Sequence, residues 1–189
     1  METKLFEAAC SGNLQALYDA VRENGGVCAR IHEAMLKFCP PTLPTQSRWL
    51  YPLHLASAGG HLEIVTFLLE FGKQKSAVEE LCMKKDRDGR TAIHSAVVNG
   101  TIDVIDVLFV HCPQAATEVT FHQDIVLHLV VKHHQHEALK FLIDRKFGSS
   151  AGSLLNLGDW EGGNTILHLA TANRQLQVSP LDMVTSTPS

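Results

Sequence analysis

The sequence predicts an all-α fold, a solenoid of about four and a half helix-turn-helix units joined by short hairpin loops. The first observation is the stretch Tyr51–Glu70, in which two apolar stripes at helical spacing flank Gly59-Gly60. The second observation is that this pattern recurs along the chain. Helices this short are not stable alone in water, so each unit has to bury its apolar stripe against a neighbouring copy.

Four of the units share a motif in which leucine or isoleucine precedes a histidine and a small residue follows two positions later. The histidines of this motif are His54, His94, His128 and His168, separated by 40, 34 and 40 residues. A weaker copy opens the chain at Leu5, with Ala8 and Gly12 in the places of Ala56 and Gly60. Five copies in one frame make the repeat a strong signal.

The motif and its period resemble the ankyrin-repeat family, whose unit of about 33 residues carries Thr-Pro-Leu-His-x-Ala. The resemblance implies an ankyrin-repeat array over residues 1–175 and a polar tail at 176–189. We expect repeats near 1–23, 51–72, 88–112, 122–147 and 162–175, with insertions at 24–50, 73–85 and 148–160.

The first repeat and the insertion after it depart most from the pattern. Glu7 stands where later inner helices carry leucine, so the outer side of this terminal repeat is expected to face water. The insertion is expected to hold an extra helix at Val27–Cys39 and then a proline-rich loop. It replaces the hairpin that should precede Tyr51, so the sequence does not indicate how repeat one docks on repeat two.

In the second repeat, Pro52 suits the first position of the inner helix, because its missing N–H would have no partner there. Gly72 is expected to end the outer helix. Ser76 then offers a capping box for a short helix that ends near Lys84.

The helices of the later repeats are predicted from the spacing of the repeats rather than from the secondary-structure propensity of their residues. Asp88-Gly89 is expected to form a hairpin turn, and Thr91 the N-cap of the next inner helix. The segments at 101–110 and 124–131 are rich in β-branched residues, but the repeat frame assigns both to helices because stacking overrides propensity. In the last repeat, EGGNT at 161–165 carries one more glycine than a tight turn needs.

Composition limits the kinds of partner. A net charge of −4 argues against a general phosphate-backbone binder, so no nucleic acid partner is expected. Five cysteines without a C-x-x-C pair fit reduced thiols in a cytosolic protein. The longest apolar run, Val104–Cys112, is far shorter than the roughly 20 residues of a membrane helix. We therefore expect a cytoplasmic chain without a membrane span.

No feature of the sequence points to catalysis. The nucleophile elbow, paired carboxylates, phosphate-binding loop and dinucleotide fingerprint are all missing, so no enzyme, catalytic residue or cofactor is expected. The four motif histidines are expected to hydrogen-bond around the turn, joining the threonine hydroxyl and the backbone of adjacent repeats. The histidines from His133 to His136 are interpreted as a solvated helix end. Zinc binding there is the alternative to our expectation of no metal site.

Several segments further resemble a plant subfamily of ankyrin proteins, namely LFEAACSGNLQAL, KDRDGRTAIHSA, CPQAATEVT and GNTILHLATA. Full-length members carry a C-terminal PGG-type domain with membrane helices, which has no counterpart here, and some act in defence or salt-stress signalling. The resemblance implies a non-enzymatic protein-protein interaction scaffold with a protein partner. One alternative is a truncated regulator that pairs with full-length membrane-anchored relatives through an uncovered face at Ile166, Leu167 and Leu169. Another is a metal-binding module.

In the ankyrin-repeat family, hairpin tips and the last exposed positions of the inner helices line a concave groove that holds the partner. The matching positions here, which we call the predicted groove residues, are Arg87, Asp88, Arg90, Val98, Asn99, Phe121, His122, Asp124, Lys132, His133, Trp160 and Asn164. Phe121 and Trp160 are the favoured anchors, since exposed aromatic residues commonly carry binding energy. The alternatives are that both pack on neighbouring repeats and that Arg87 and Arg90 are solvated turn residues.

Overall fold

The structure, a computed structural model, describes residues 2–22, 51–74, 76–147, 155–159 and 162–172. The predicted helix at Val27–Cys39, most of the insertion at 148–160 with the predicted anchor Trp160, and the predicted tail at 176–189 lie outside these residues. The described part of the chain holds ten α-helices and no strand, which confirms the all-α prediction.

Nine of these helices form inner and outer layers. The inner helices are Glu2–Ser11, Pro52–Ala58, Ala92–Asn99, Val126–Lys132 and Ile166–Ala172. The outer helices are Leu14–Arg22, Leu62–Gln74, Ile102–His111 and His136–Phe141, the last of which continues as a π-helical segment at Leu142–Phe147. A short helix at Val78–Met83 links repeats two and three. Both β-branched segments are helical, as the repeat frame predicted.

Each inner helix packs against the inner helix of the next repeat, and one apolar core runs through the stack. Leu53, Ile93 and Leu127, which directly precede the motif histidines, are almost inaccessible to solvent. Burying a side chain of this size stabilises the fold by about 1.5–3 kcal/mol. Ala56 and Ala96 are fully buried on the same helices, and their small side chains let the inner helices approach closely.

Repeat one docks on repeat two although the insertion separates them in sequence. The inner helices of the two repeats are in contact. The His61 ring lies against Gly12, and its Nε2 is 3.1 Å from the carbonyl oxygen of Cys10. On the outer layer, Tyr18 meets Phe67 edge to face, with ring centroids 5.3 Å apart. Side-chain contacts therefore hold repeat one in place.

Two predictions at the end of the second outer helix, for Gly72 and Ser76, are wrong. Gly72 does not end this helix but lies buried inside it, where a Cβ would come within 2.9 Å of Leu81. Ser76 does not cap the short helix that follows, because Ala77 is its N-cap. Ser76 instead has a left-handed φ of 55° and closes the outer helix, with Ser76 N–H donating to Lys73 O and Ala77 N–H donating to Gly72 O.

The other local expectations that fall on the described residues hold. Pro52 is the first residue of its helix, and Thr91 is the N-cap of the third inner helix. The short helix ends at Met83, one residue before its predicted end. Glu7 is exposed on the terminal repeat.

Candidate partner-binding surface

Each of the three hairpins that the structure describes is closed by a polar side chain at its first position. In the third repeat, Asp86 Oδ1 accepts hydrogen bonds from the backbone N–H groups of Asp88 at 2.9 Å and Arg90 at 2.8 Å. The Asp86 N–H donates to Arg90 O at 2.9 Å. Gly89 takes a left-handed φ of 77°, as the last residue of a three-residue hairpin loop requires.

The next two hairpins repeat this arrangement. Thr120 Oγ1 accepts from Asp124 N–H at 3.1 Å, and Asp159 Oδ1 accepts from Asn164 N–H at 2.9 Å. The last loop is one residue longer, in keeping with its extra glycine. Sequence reasoning missed these closing residues, although their spacing marks them: each lies five or six positions before the first residue of the inner-helix motif.

The motif histidines connect each repeat to the next one along the chain. His54 Nε2 lies 2.9 Å from Arg90 O, His94 Nε2 lies 3.1 Å from Glu118 O, and His128 Nε2 lies 2.9 Å from Leu157 O. These three bonds confirm the predicted role of the histidines in joining adjacent repeats.

The other ring nitrogen of His94 is an acceptor, which fixes its tautomer. Nδ1 accepts the Thr91 N–H at 3.1 Å and lies 2.8 Å from the Thr91 hydroxyl. The neutral ring therefore carries its proton on Nε2 and donates it to Glu118 O. Burial lowers the pKa of the His94 imidazole to about 3, although the hydrogen bond to Glu118 O opposes this shift. Burial also lowers the pKa of His54, so both rings are neutral at pH 7.

A second set of bonds joins the repeats at the other end of the inner helices. His61, Thr101 and Gln135 follow the turns between inner and outer helices, and each reaches back to a carbonyl of the preceding repeat. The acceptors are Cys10 O, Ser57 O and Val98 O, at 3.1, 3.3 and 3.1 Å. The stack is thus fixed at both ends of its inner layer, and the hairpins project from a rigid support.

Among the described hairpin residues, Phe121 is the most exposed large apolar side chain. Its backbone N–H donates to Asp88 O at 3.0 Å, which joins the third and fourth hairpins. Its ring lies over Gly89, where a Cβ would approach it to 2.9 Å. Even so, 66% of the residue is exposed. A large aromatic surface is therefore held in a fixed position facing solvent.

Lys132 joins the fourth and fifth repeats through two buried carboxylates. Its Nζ donates to both carboxylate oxygens of Asp124, at 2.8 and 3.1 Å, and lies 3.4 Å from Asp159 Oδ2. Burial raises the pKa of Asp159, but hydrogen bonds from the Asn164 N–H and the nearby Lys132 ammonium outweigh burial and hold it below its ordinary value. Two of the predicted groove residues, Asp124 and Lys132, are thus engaged with each other.

The remaining described groove residues differ in exposure. Asn99, His122 and His133 are exposed, and Val98 and Arg90 are half-buried. Burial and the positive charge of Arg90 lower the pKa of His133. Asn164 donates its side-chain N–H to Asp159 Oδ1 at 3.3 Å.

Arg87 and Asp88 share the tip of the third hairpin. The Arg87 side chain is 66% exposed, and its Nε lies 3.7 Å from Asp88 Oδ1. At this separation and exposure the pair contributes little to stability. Both side chains are accessible to a partner.

Within the described ranges, no three histidine, cysteine or acidic side chains are grouped so as to hold a metal ion. Burial raises the pKa of the Cys82 thiol, which makes it a poor nucleophile. No helix in the described ranges is long and apolar enough to cross a membrane.

The last inner helix corrects one expectation. Ile166 was expected to lie on an uncovered apolar face, but it is fully buried, and its helix packs on the inner helix of the fourth repeat. Leu167 and Leu169 are half-buried.

The stacked helical pairs, the projecting hairpins and the inter-repeat histidines define a helical repeat protein of the protein-interaction type. The family model of ankyrin repeats, in three copies, matches residues 5–120, and the chain belongs to this family. Ankyrin repeats serve as protein-protein interaction scaffolds, so the predicted family and its general function are confirmed.

Two curated relatives cover about half of this chain. A probable E3 ubiquitin-protein ligase of rice, XBOS33 from Oryza sativa subsp. japonica, is 36% identical over 102 residues, which are 52% of this chain and 18% of the rice protein. The FYVE zinc finger domain protein UPA1 of Mycosarcoma maydis is 29% identical over 99 residues, which are 52% of this chain and 6% of that protein. The chain therefore spans less than a fifth of either relative. The rice match is consistent with the predicted plant family.

Among solved structures, the crystal structure of the yeast ribosomal protein Rps3 in complex with its chaperone Yar1 contains a similar chain. The TM-score is 0.59, the identity is 19%, and the match covers 74% of this chain and 89% of that one. At this identity the likeness supports the fold alone.

Proposed function

We propose that this chain is a non-enzymatic, cytoplasmic scaffold that holds a protein partner against the predicted groove residues. The observation that supports the proposal most is Phe121, a large aromatic side chain that is mostly exposed on a hairpin tied to its neighbour. An exposed aromatic residue with no structural need for exposure is typical of a binding anchor.

The way the hairpins are held favours tight binding. Asp86 closes the third hairpin, Thr120 closes the fourth, and the Phe121 N–H links the two. Because the tips are already ordered, a partner would lose little conformational entropy from this side of the interface. Binding by rigid surface complementarity requires no chemical step.

The test is affinity capture with the purified chain and with the double variant Phe121→Ala/Trp160→Ala, followed by identification of bound proteins by mass spectrometry. We expect the double variant to lose the captured partner while its helical circular dichroism stays unchanged. The matched control is Val110→Ala, which removes an apolar side chain of similar exposure, 68%, from an outer helix.

Two results would contradict the proposal. Loss of helicity in the double variant would mean that Phe121 and Trp160 belong to the core. Unchanged capture by a folded double variant would mean that the partner binds elsewhere.

A role in plant defence or stress signalling is a further part of the proposal. It is supported by the resemblance to the plant subfamily and by the match to the rice protein. The identity of the captured partner decides this point. A partner outside signalling would remove the support for it.

Pairing with full-length membrane-anchored relatives is the second candidate. Because Ile166 is buried, the pairing surface would be formed by the half-buried Leu167 and Leu169 of the last inner helix. Size-exclusion chromatography with light scattering provides the test, because a clean monomer at high protein concentration would eliminate pairing between copies of this surface.

A further inference from the structure

Three carboxylates of the described hairpins are buried, whereas the Asp88 side chain at the tip of the third hairpin is 41% exposed. Asp86, Asp124 and Asp159 are each at most 7% exposed. Asp86 and Asp159 accept backbone N–H groups of their own hairpins, and Lys132 neutralises Asp124 while lying close to Asp159. These three carboxylates are hydrogen-bonded or paired inside the protein and are not offered to a partner.

The third hairpin also carries two arginines. The Arg87 side chain is well exposed and only loosely paired with Asp88. Arg90 is half-buried and makes no ion pair with any other described residue. Because guanidinium groups keep their charge at all physiological pH values, these two cations outweigh the one partly exposed carboxylate of this tip, that of Asp88.

The outer helices carry a net charge of the opposite sign. Among the side chains whose exposure the structure describes, the outer helices of repeats two to four expose five carboxylates, on Glu63, Glu70, Asp103, Glu137 and Asp144, and three cations, on Lys73, Lys140 and Arg145. These described side chains give the outer layer a net negative charge, in contrast to the tip of the third hairpin. An acidic partner would be repelled by the outer layer and attracted by the tips.

We propose that the surface formed by Arg87, Arg90 and Phe121 binds an acidic segment of a partner protein that carries at least one large apolar side chain. This inference rests on the proposed scaffold function and adds the chemistry of the partner. The arginine forks match carboxylates in bidentate geometry, and the exposed face of the Phe121 ring receives the apolar side chain.

The test is selection of a random dodecapeptide phage library on the immobilised chain, followed by affinity measurement of the enriched peptides by fluorescence anisotropy. We expect the enriched peptides to be net negative and to contain leucine, phenylalanine or tryptophan. The double variant Arg87→Glu/Arg90→Glu should bind them at least tenfold more weakly, and Arg87→Gln/Arg90→Gln should be intermediate. The matched control, Lys73→Glu/Lys140→Glu on the outer layer, should stay within twofold of the wild type.

The experiments distinguish failure of the acidic-segment inference from failure of the scaffold proposal. Enriched peptides that are neutral or basic, or affinity that survives the arginine reversals in a folded protein, would overturn the acidic-segment inference and leave the scaffold proposal standing. A captured partner without any enriched peptide would also overturn it, because the surface would then require a folded partner. If neither the library nor the affinity capture yields a binder, the scaffold proposal itself fails.

Discussion

At the scale of single residues, each turn of the array needs a left-handed backbone, and the fourth repeat meets this need without glycine. Gly89 and Gly100 hold the left-handed positions in the third repeat, with φ of 77° and 69°. In the fourth repeat Gln123 and His134 take the same positions, with φ of 58° and 57°. Left-handed backbone at a residue with a Cβ costs about 1–2 kcal/mol, so this repeat is strained where the proposed binding surface lies.

We predict that Gln123→Gly and His134→Gly each raise the free energy of unfolding by about 0.5–1 kcal/mol. The relieved strain of about 1–2 kcal/mol exceeds the extra entropy that glycine loses on folding. Urea unfolding followed by circular dichroism measures the change.

The reverse substitution is the control for this prediction. Gly100→Ala should destabilise the chain, since its φ is positive and a Cβ there would collide with the Gln135 side chain. A stabilising Gly100→Ala, or glycine variants less stable than the wild type, would contradict the strain argument.

At the scale of the repeat, the junction between the fourth and fifth repeats depends on one ammonium group between two buried carboxylates. Removing one partner of a buried ion pair leaves uncompensated charge in a medium of low polarity. Lys132 stands between Asp124 and Asp159, so its loss affects both hairpins at once.

We predict that Lys132→Met lowers the free energy of unfolding by about 3–5 kcal/mol, the range for a broken buried pair. The exposed Lys140 on the fourth outer helix provides the control, because Lys140→Met should change stability by less than about 0.5 kcal/mol. Thermal and urea unfolding of both variants test the prediction. Equal stabilities of the two variants would show that the buried pair does not support the junction.

The repeats themselves could be predicted because their signals lie within one unit. The recurring histidine fixed the frame, and the frame overrode the strand-like residues at 101–110 and 124–131. Gly72 and Ser76 were misjudged because a glycine and a serine have several local uses, and packing by Leu81 decided between them. The contact between Lys132 and Asp159 could not be predicted from the sequence. The insertion at 148–160 lies between the fourth and fifth repeats, and its length does not indicate which residues face each other.

At the scale of the whole molecule, the neutral histidines between repeats make stability depend on pH. The pKa of His94 is lowered to about 3 and that of His54 is also lowered, whereas an unfolded histidine titrates near 6.5. The unfolded chain therefore binds protons that the folded chain excludes. The stability from these residues is fully present above about pH 6.5 and is lost as the pH falls from there toward 3.

We predict that the urea midpoint falls between pH 7.5 and pH 5.5, by an amount equivalent to about 1.4 kcal/mol for His94 and a further loss in the same direction for His54. The depressed pKa of Asp159 adds a further loss only below about pH 4. His94→Gln should be less stable than the wild type at pH 7.5 but should lose less on acidification. A wild-type midpoint that stays constant between the two pH values would contradict the role of neutral histidines.

The central claim is that a rigid stack presents the hairpin tips and inner-helix ends to a protein partner. At 20.8 kDa the chain suits amide-resolved nuclear magnetic resonance, so the most direct measurement is the change in ¹⁵N–¹H shifts on titration with the captured partner or the tightest enriched peptide. The account predicts that the largest shifts cluster at residues 87–90, 98–99, 121–124 and 132–133. Shifts confined to the outer helices Leu62–Gln74 and Ile102–His111 would contradict it.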